Sequence, residues 1–228
     1  MDLQPDRLNP KDIALPTHPV YDLIFSRRDV RRFLPRPVPE KVLRRILTAA
    51  HHAPSVGFMQ PWNFIVIRDP AVKAKVKGMF TRENAKAARN FRGKRRALYG
   101  SLKLEGILEA PINLCITCDS RRFGPNVLGR NTIRRADVYS TCCAVQNLWL
   151  AARAEGIGVG WVSILKNARL KQILKIPAGV SPVAYLCVGY PVEFLPQPEL
   201  ERVGWAPRLP MDGLVYLDCW GHAGKTSV

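Results

Sequence analysis

The densest group of chemically capable residues lies near the start of the chain, where four arginines fall within six positions, at 27, 28, 31 and 32. A planar guanidinium binds phosphate through two parallel hydrogen bonds and does not lose its charge. Asp29 stands among them, and it is predicted either to pair with a neighbouring arginine or to stay ionised beside a ligand. The stretch therefore predicts an anion-binding site or, with equal weight, a solvated basic turn.

A second group occupies residues 53–64, where small, amide and aromatic side chains are mixed around Ser55, Gln60 and Trp62. Such a mixture can approach an aromatic heterocycle closely and hydrogen-bond its edge. An ordinary connector rich in proline and glycine is the alternative, and this segment alone favours that alternative.

A third group is GIGVGWVSI at residues 156–164. A dinucleotide-binding glycine loop follows a strand and opens a helix, whereas this one follows a predicted helix and opens a predicted strand, so that class is excluded. The glycines are expected to let the backbone pass close to something flat. Ser163 is predicted to be either a core hydroxyl or a ligand-facing one.

No metal site and no Ser-His-Asp arrangement is predicted. The four histidines lie outside the three groups. Cys115 and Cys118 are three residues apart on a predicted strand and so point to opposite faces, which prevents them from sharing a metal. The six cysteines are expected to be reduced structural thiols.

Periodicity predicts the elements that must position these groups. We expect helices at 19–26, 40–52, through most of 71–109, at 136–155 and at 168–174, and strands at 62–68, 112–117 and 183–190, with a short buried segment at 157–165. The helix at 136–155 is apolar on most sides and is expected to be central and buried. The prolines after residue 190 predict an extended arm that could wrap a partner subunit. The pattern indicates an α+β or α/β domain with a sheet covered by helices.

Composition excludes several classes. With 228 residues, 23% charged and 47% hydrophobic, the chain is long and apolar enough to form one large folded domain. It contains no apolar run of about 18 residues, so no membrane span is expected. The N-terminal residues are polar and lack the apolar stretch of a secretory signal, which favours a cytoplasmic location.

The net charge of +17 is unevenly distributed. Residues 71–103 contain eleven Lys or Arg and one acid, Glu83, and residues 27–45 contain eight basic residues and two acids. Solvated helix faces, a nucleic-acid surface and attraction of a small anion are the competing interpretations. No helix-turn-helix, RNA-binding aromatic motif or zinc finger supports the nucleic-acid interpretation.

Taken in order, these motifs resemble the nitroreductase family of FMN proteins from Tyr21 to about Arg208. The resemblance rests on RRDVR at 27–31, PSVGFMQPW at 54–62 and a long helix leading to GVGW at 158–161. Within that family the chain is similar to the BluB branch, the 5,6-dimethylbenzimidazole synthases. Asp29 stands where reductases usually carry Ser or Thr, and LKLEGI at 102–107, followed by Ala110 and Pro111, points the same way.

The resemblance implies a nitroreductase-like α+β fold with a central, mostly antiparallel sheet and a C-terminal arm exchanged in a homodimer that binds FMN at its interface. It implies an N-terminal extension at 1–18 and an FMN-binding domain at 19–228, with the arm starting at about 191. The implied FMN-binding residues are Arg27, Arg28, Asp29, Val30, Arg31, Ser55, Leu104, Val162, Ser163 and Arg208.

The resemblance also implies a reaction in which reduced FMN is the substrate and O₂ the co-substrate, without a metal. The flavin is cleaved to 5,6-dimethylbenzimidazole, the lower ligand of vitamin B12, and erythrose 4-phosphate. Asp29 and Ser163 match the catalytic pair, with Asp29 suited to accept a proton and Ser163 to relay one or orient the flavin. Reduced FMN would come from a flavin reductase or from NAD(P)H. The alternatives are an NAD(P)H-dependent nitro- or flavin reductase and, more weakly, a basic nucleic-acid-binding module.

Overall fold

The computed structural model describes residues 18–222. Four strands form one sheet in the order β1-β2-β4-β3, and every neighbouring pair is antiparallel. The strands are β1 (Trp62–Ile67), β2 (Ile112–Asp119), β3 (Gly158–Trp161) and β4 (Val180–Gly189). The α+β class with an antiparallel sheet is therefore confirmed.

Seven α-helices occur among the described residues: α1 (Pro19–Ser26), α2 (Glu40–His51), α3 (Pro70–Ala87), α4 (Gly93–Ser101), α5 (Ala136–Ala154), α6 (Asn167–Leu174) and α7 (Glu199–Arg202). Three short 3₁₀ turns lie at Val56–Phe58, Ala88–Asn90 and Met211–Leu214. Local sequence explains several helix ends. At α3, for example, the Asp69 carboxylate accepts from the Ala71 N–H at 2.7 Å, and Pro70 takes the first helical position.

Both faces of the sheet are covered, which explains why β2 is a nearly continuous apolar run. Side chains at 112, 114 and 116 pack with α2 and α5 in one core cluster. Cys115, Tyr185 and Cys187 lie in the second cluster, which contains Val76, Met79 and Phe80 of α3 and Leu170 of α6. Burial on alternating sides follows from the period of two along a strand.

Helix α5, which we expected to be central and buried, contributes to the core along one face only. Its inner face is buried at Ala144, Leu148 and Ala152, but residues 139, 142, 143 and 146 are exposed. These four side chains, Tyr139, Cys142, Cys143 and Gln146, carry no formal charge and form the neutral stripe of α5. Because these side chains are uncharged, the sequence of α5 alone does not distinguish its exposed face from its core face.

Strand β4 begins three residues earlier than predicted. Pro182 has no N–H to donate to a ladder, which argues for a strand that starts after it. The structure accommodates Pro182 opposite Thr117, where the β2–β4 register shifts between Ile116 and Thr117. A local bulge of this kind relieves the missing donor.

The chain divides into two units, of which the first ends at Phe194 and the second begins at Leu195. The second unit contains α7 and the Met211–Leu214 turn, and the rings of Tyr216 and Trp220 lie 4.8 Å apart within it. The proposed domain boundaries, including the extension at 1–18, stay predictions, because residues 1–17 lie outside the described residues.

No helix within residues 18–222 is both long and apolar enough to cross a membrane.

Candidate active site

The arginine segment (residues 27–33) runs along the outer edge of β3. Asp29 pairs with Val159 as a parallel bridge, and the Val30 N–H donates to the Val159 carbonyl at 2.9 Å. Further along, the Leu34 N–H donates to the Tyr190 carbonyl at 2.9 Å. The backbone of the segment is therefore fixed between β3 and the residues that follow β4.

Asp29 is held by two donors. Its Oδ1 accepts a hydrogen bond of 2.8 Å from the Trp161 backbone N–H, and its Oδ2 pairs with the Arg31 guanidinium. An ionised carboxylate, which only accepts hydrogen bonds, satisfies both donors. The Asp29 side chain keeps 42% of its surface exposed, so it is fixed in position and still reachable from outside.

Two glycines before Trp161, Gly158 and Gly160, leave space for the arginine segment to lie against β3. A Cβ on Gly160 would lie 2.0 Å from the Val30 carbonyl oxygen and 3.1 Å from Arg31 Nη1, and one on Gly158 would lie 2.9 Å from Val30 Cγ2. The predicted close approach is present, and the group that approaches is the backbone of the chain itself.

Arg27 and Arg28 are anchored on α5 by Trp149. The Arg27 guanidinium lies 4.7 Å from the centre of the Trp149 ring, and the Trp149 Nε1–H donates to the Arg28 carbonyl at 3.2 Å. The Arg28 side chain bonds the carbonyls of Phe25 and Arg27 at 2.6 and 2.8 Å, so it also closes the end of α1. Sequence reasoning missed Trp149, whose role depends on a contact between residues far apart in the chain.

Arg31 offers a donor that has no acceptor among the described residues. Its side chain is only 12% exposed, and Nη1 is buried without a hydrogen-bond partner among residues 18–222. A buried guanidinium nitrogen left in this way is costly, and an anion or a carbonyl oxygen of a ligand would relieve the cost. The arrangement fits the FMN expected here, which carries both kinds of acceptor.

Val162 and Ser163 follow the strand that holds Asp29. Val162 is buried, and its N–H continues the ladder to the Tyr185 carbonyl at 2.9 Å. Ser163 is exposed, and its carbonyl accepts from the Leu165 N–H at 2.9 Å. Since Trp161 bonds Asp29 and Ser163 is two residues further on, the predicted catalytic pair is brought to the same end of β3.

Leu104 also belongs to this neighbourhood. It is half-buried and packs against the second core cluster, which contains Val30, Phe33 and Val162. The adjacent Gly106 touches the arginine segment, because a Cβ there would lie 2.6 Å from the Phe33 ring and 2.9 Å from the Arg31 carbonyl oxygen.

Ser55 does not join these residues within one chain. The Ser140 hydroxyl near the start of α5 accepts from the Val56 N–H at 3.0 Å, whereas the arginines contact Trp149 nine residues later. At 1.5 Å per residue the two positions on α5 are about 14 Å apart along the helix. Gln60 and Trp62 of the same motif line a separate cavity of about 500 Å³ together with Arg44, His51 and Arg122.

Arg208 lies in the second unit, where its backbone N–H reaches Glu201 Oε1 at 3.5 Å. Its role as a phosphate contact stays a prediction.

The buried Cys115 and Cys187 are inert thiols. All six cysteines are free, and burial raises the pKa of Cys115 and of Cys187 to about 12. A thiol with so high a pKa is neither a nucleophile nor a metal ligand at neutral pH. Within residues 18–222 no three His, Cys, Asp or Glu side chains come together as a metal site.

The comparisons with known proteins identify the family of this chain. The sequence profile of the Nitroreductase family matches residues 24–190. The chain is 45% identical over 190 residues to a 5,6-dimethylbenzimidazole synthase from Rhodospirillum rubrum, covering 83% of this chain and 90% of that protein. The chain thus belongs to the nitroreductase family. Within it, the chain groups with the 5,6-dimethylbenzimidazole synthases.

Two solved structures share the fold. Oxidised iodotyrosine deiodinase bound to FMN and 3-iodo-L-tyrosine superposes with a TM-score of 0.68 at 24% identity, covering 84% of this chain and 95% of that one. A BluB-like flavoprotein from Clostridium difficile gives a TM-score of 0.64 at 19% identity, covering 86% and 97%. At these identities the likeness establishes the architecture alone.

Proposed function

We propose that this chain is a 5,6-dimethylbenzimidazole synthase that uses O₂ to fragment reduced FMN into 5,6-dimethylbenzimidazole and erythrose 4-phosphate for the lower ligand of vitamin B12. The observation that carries the proposal is the 45% identity to a synthase of that name across 90% of its length. The fixed carboxylate of Asp29 at the centre of the arginine segment supports it, since this acid distinguished the branch in the sequence.

The residues that would hold FMN fall into three groups. Arg27, Arg28 and Arg31 would bind the phosphate and the edge of the ring, and the unpartnered Arg31 Nη1 is the donor best placed to do so. Val30, Leu104 and Val162 supply apolar surface beside them. Ser55 and Arg208 complete the proposed set.

The Ser55 loop and the arginines contact different parts of α5, which supports a homodimer. If FMN lies between two subunits, Ser55 of one chain and the arginines of the other can line one site. Within a single chain, the α5 residues that contact the Ser55 loop and the arginines, Ser140 and Trp149, are about 14 Å apart along the helix. The neutral stripe of α5 is an uncharged surface that a second copy could cover.

When bound, reduced FMN supplies the electrons that reduce O₂ and the carbon framework of the product. Asp29 would accept a proton on its carboxylate, which Trp161 and Arg31 hold in place while 42% of the side chain stays exposed. Ser163 would relay a proton or orient the flavin through its exposed hydroxyl. The proposal includes a cytoplasmic location and delivery of reduced FMN by a flavin reductase or by NAD(P)H.

The test is to load the protein anaerobically with reduced FMN, admit O₂ and identify the products by mass spectrometry. We expect 5,6-dimethylbenzimidazole and erythrose 4-phosphate from the wild type. Asp29→Asn and Ser163→Ala should each lower the rate of benzimidazole formation roughly 100-fold, the usual scale of proton-transfer catalysis. Asp22→Asn, which changes an exposed acid on α1, is the matched control and should keep the wild-type rate.

Two outcomes would contradict the proposal in different ways. Undiminished benzimidazole from variants that still bind FMN would remove the roles of Asp29 and Ser163. A wild type that leaves the flavin intact while it oxidises NAD(P)H with a nitroaromatic substrate would instead identify a reductase.

A further inference from the structure

We propose that Lys77 and Glu105, supported by Lys73, are positioning residues that hold the connector (residues 102–111) against Arg31, and that this contact determines how much of the bound reduced flavin is fragmented. The inference rests on the proposed function and assigns a task to part of the basic segment 71–103 that the sequence motifs left without one.

Two lysines of α3 turn inward, unlike most of the basic residues around them. Lys73 and Lys77 are four residues apart and therefore share one face of the helix. Lys73 is 6% exposed, and its ammonium donates to the carbonyls of Ala110 at 2.6 Å and Pro111 at 2.9 Å. Lys77 pairs with Glu105 at 2.5 Å. Lys77 thus binds the connector near its middle, and Lys73 binds it at its end.

Glu105 uses both carboxylate oxygens. Oε1 accepts from Lys77, and Oε2 accepts from the Ile107 backbone N–H at 2.7 Å. Its side chain is 11% exposed, so the charge is largely removed from water. Loss of Lys77 would leave this buried carboxylate without its counter-ion, and the connector would have to shift to rehydrate it.

A shift of the connector would change the proposed flavin site, because residues of the connector contact it. Leu104 precedes Glu105, and Gly106 follows it in contact with the Phe33 ring and the Arg31 carbonyl. The space there would not admit even a methyl group. Displacing Glu105 therefore moves a wall of the proposed flavin site and the backbone that carries the buried Arg31 guanidinium.

A simple structural clamp and a positioning role predict different results. A clamp lowers stability and leaves the chemistry of the remaining folded protein unchanged. A positioning role changes the fate of the flavin, because small misplacements near a reacting group can cost up to about 100-fold in rate. In the unproductive course, two electrons and two protons pass from reduced FMN to O₂, giving oxidised FMN and hydrogen peroxide.

The experiment compares Lys77→Met with Lys86→Met, which removes an exposed ammonium from the same helix where it pairs with Glu83 at 3.0 Å. Single-turnover reactions are run from anaerobically loaded reduced FMN, and benzimidazole, oxidised FMN and peroxide are quantified. We expect Lys77→Met to lower the ratio of benzimidazole to oxidised FMN by roughly 10-fold. Lys86→Met should keep the wild-type ratio, and Lys77→Arg should restore most of it.

Glu105→Gln is a second variant in case Lys77→Met fails to fold. Glutamine keeps an acceptor for the Ile107 N–H and removes the charge that pairs with Lys77. This variant should also lower the ratio. A wild-type ratio in folded Lys77→Met and Glu105→Gln would overturn the positioning role.

A second readout does not need turnover. Hydrogen exchange of the flavin-free protein should show faster exchange of the amides at 104–110 in Lys77→Met than in Lys86→Met, and binding of oxidised FMN should weaken only in the former. If the wild type forms no benzimidazole, the proposed function fails while these measurements still test the positioning role. Equal exchange and equal FMN affinity in the two variants would exclude it.

Discussion

Gly160 brings the arginine segment within contact of β3, and Asp29 can bond the Trp161 N–H only because nothing projects from that position. The Val30 carbonyl oxygen would lie 2.0 Å from a Cβ there. No rotamer change can relieve this distance, because the position of a Cβ is fixed by its own backbone and the carbonyl oxygen is part of the backbone. Gly160, which has no side chain, thus helps to determine the positions of Asp29 and of the arginine segment.

Gly160→Ala is expected to separate the arginine segment from β3. We expect a loss of stability of about 1–3 kcal/mol, the usual cost of overpacking, and a fall in FMN affinity of roughly 10-fold or more. Thermal unfolding and flavin fluorescence titration measure the two effects.

Gly100→Ala is the matched control, since it adds a methyl group to α4 with no atom within 4 Å. It should leave FMN affinity unchanged and raise stability slightly, because alanine is the better helix former. Wild-type affinity in Gly160→Ala would show that the close approach is not needed for binding.

At the residue scale the motifs predicted that Asp29, Arg31 and Ser163 serve one site. The structure pairs Asp29 with Arg31, and Ser163 lies two residues after Trp161, whose N–H donates to Asp29. Lys73, Lys77 and Glu105 were not predicted, because their partners are backbone groups and side chains some 30 residues away. A Lys that is buried by tertiary packing has no local signature in a segment that is basic throughout.

The elements are joined by a bidentate ion pair at the far end of α5. Arg45 of α2 donates through Nε and Nη2 to the two oxygens of Glu155, both at 2.6 Å. These hydrogen bonds lower the pKa of Glu155 below its ordinary value of 4.5, with the charge of Arg45 acting in the same direction. The pair helps to fix α2 against the residue that ends α5.

The pH dependence of this pair follows from the lowered pKa. A carboxyl whose pKa falls on folding stabilises the protein above its unfolded-state pKa, and the contribution is lost as pH drops through the folded-state value. Arg45→Met should therefore lower the free energy of unfolding at pH 7, and its difference from wild type should shrink below about pH 4.5.

Denaturant titrations at several pH values measure that difference. Lys41→Met is the control, because it removes an equal charge from an exposed position of α2. A deficit of Arg45→Met that stays constant down to pH 2 would contradict the assignment to Glu155.

Most helices and strands were predicted within a few residues because each has a clear period of its own. The exceptions have tertiary causes. Pro182 lies inside β4 because the register with β2 shifts beside it, and α5 keeps an exposed stripe although its sequence is largely apolar. The connector was included in a predicted helical region, yet its shape is determined by lysines on α3.

At the scale of the whole molecule, part of the net charge of +17 is displayed between the end of α3 and the first turns of α4. Arg89, Arg92, Lys94 and Arg96 are exposed there. A surface with this charge raises the rate at which an anion reaches the protein. Salt screens the attraction, and the Debye length is about 10 Å at 0.1 M ionic strength.

We expect salt to slow the capture of reduced FMN much more than the fragmentation of flavin already bound. Stopped-flow mixing measures capture, and single-turnover product formation measures fragmentation. Between low and high salt, capture should slow by roughly 10-fold. Equal salt sensitivity of the two steps would contradict electrostatic capture.

A paired substitution locates the effect. Replacing Lys94 and Arg96 by Gln should reduce both the capture rate and its salt dependence. The same charge change at Lys41 and Arg44 on α2 should have the smaller effect. If the two pairs behave alike, net charge alone, and not the α4 surface, governs capture.

Helix α5 fixes the spacing between two contacts: Ser140 accepts a hydrogen bond from the Ser55 loop, and Trp149 contacts the arginines. Each residue of a helix adds 1.5 Å and about 100° of rotation. One residue inserted between those contacts would swing Trp149 away from Arg27 and Arg28 while the Ser55 loop stayed in place. An exposed residue between them, such as Gln146, can therefore be replaced, whereas the number of residues between Ser140 and Trp149 is fixed.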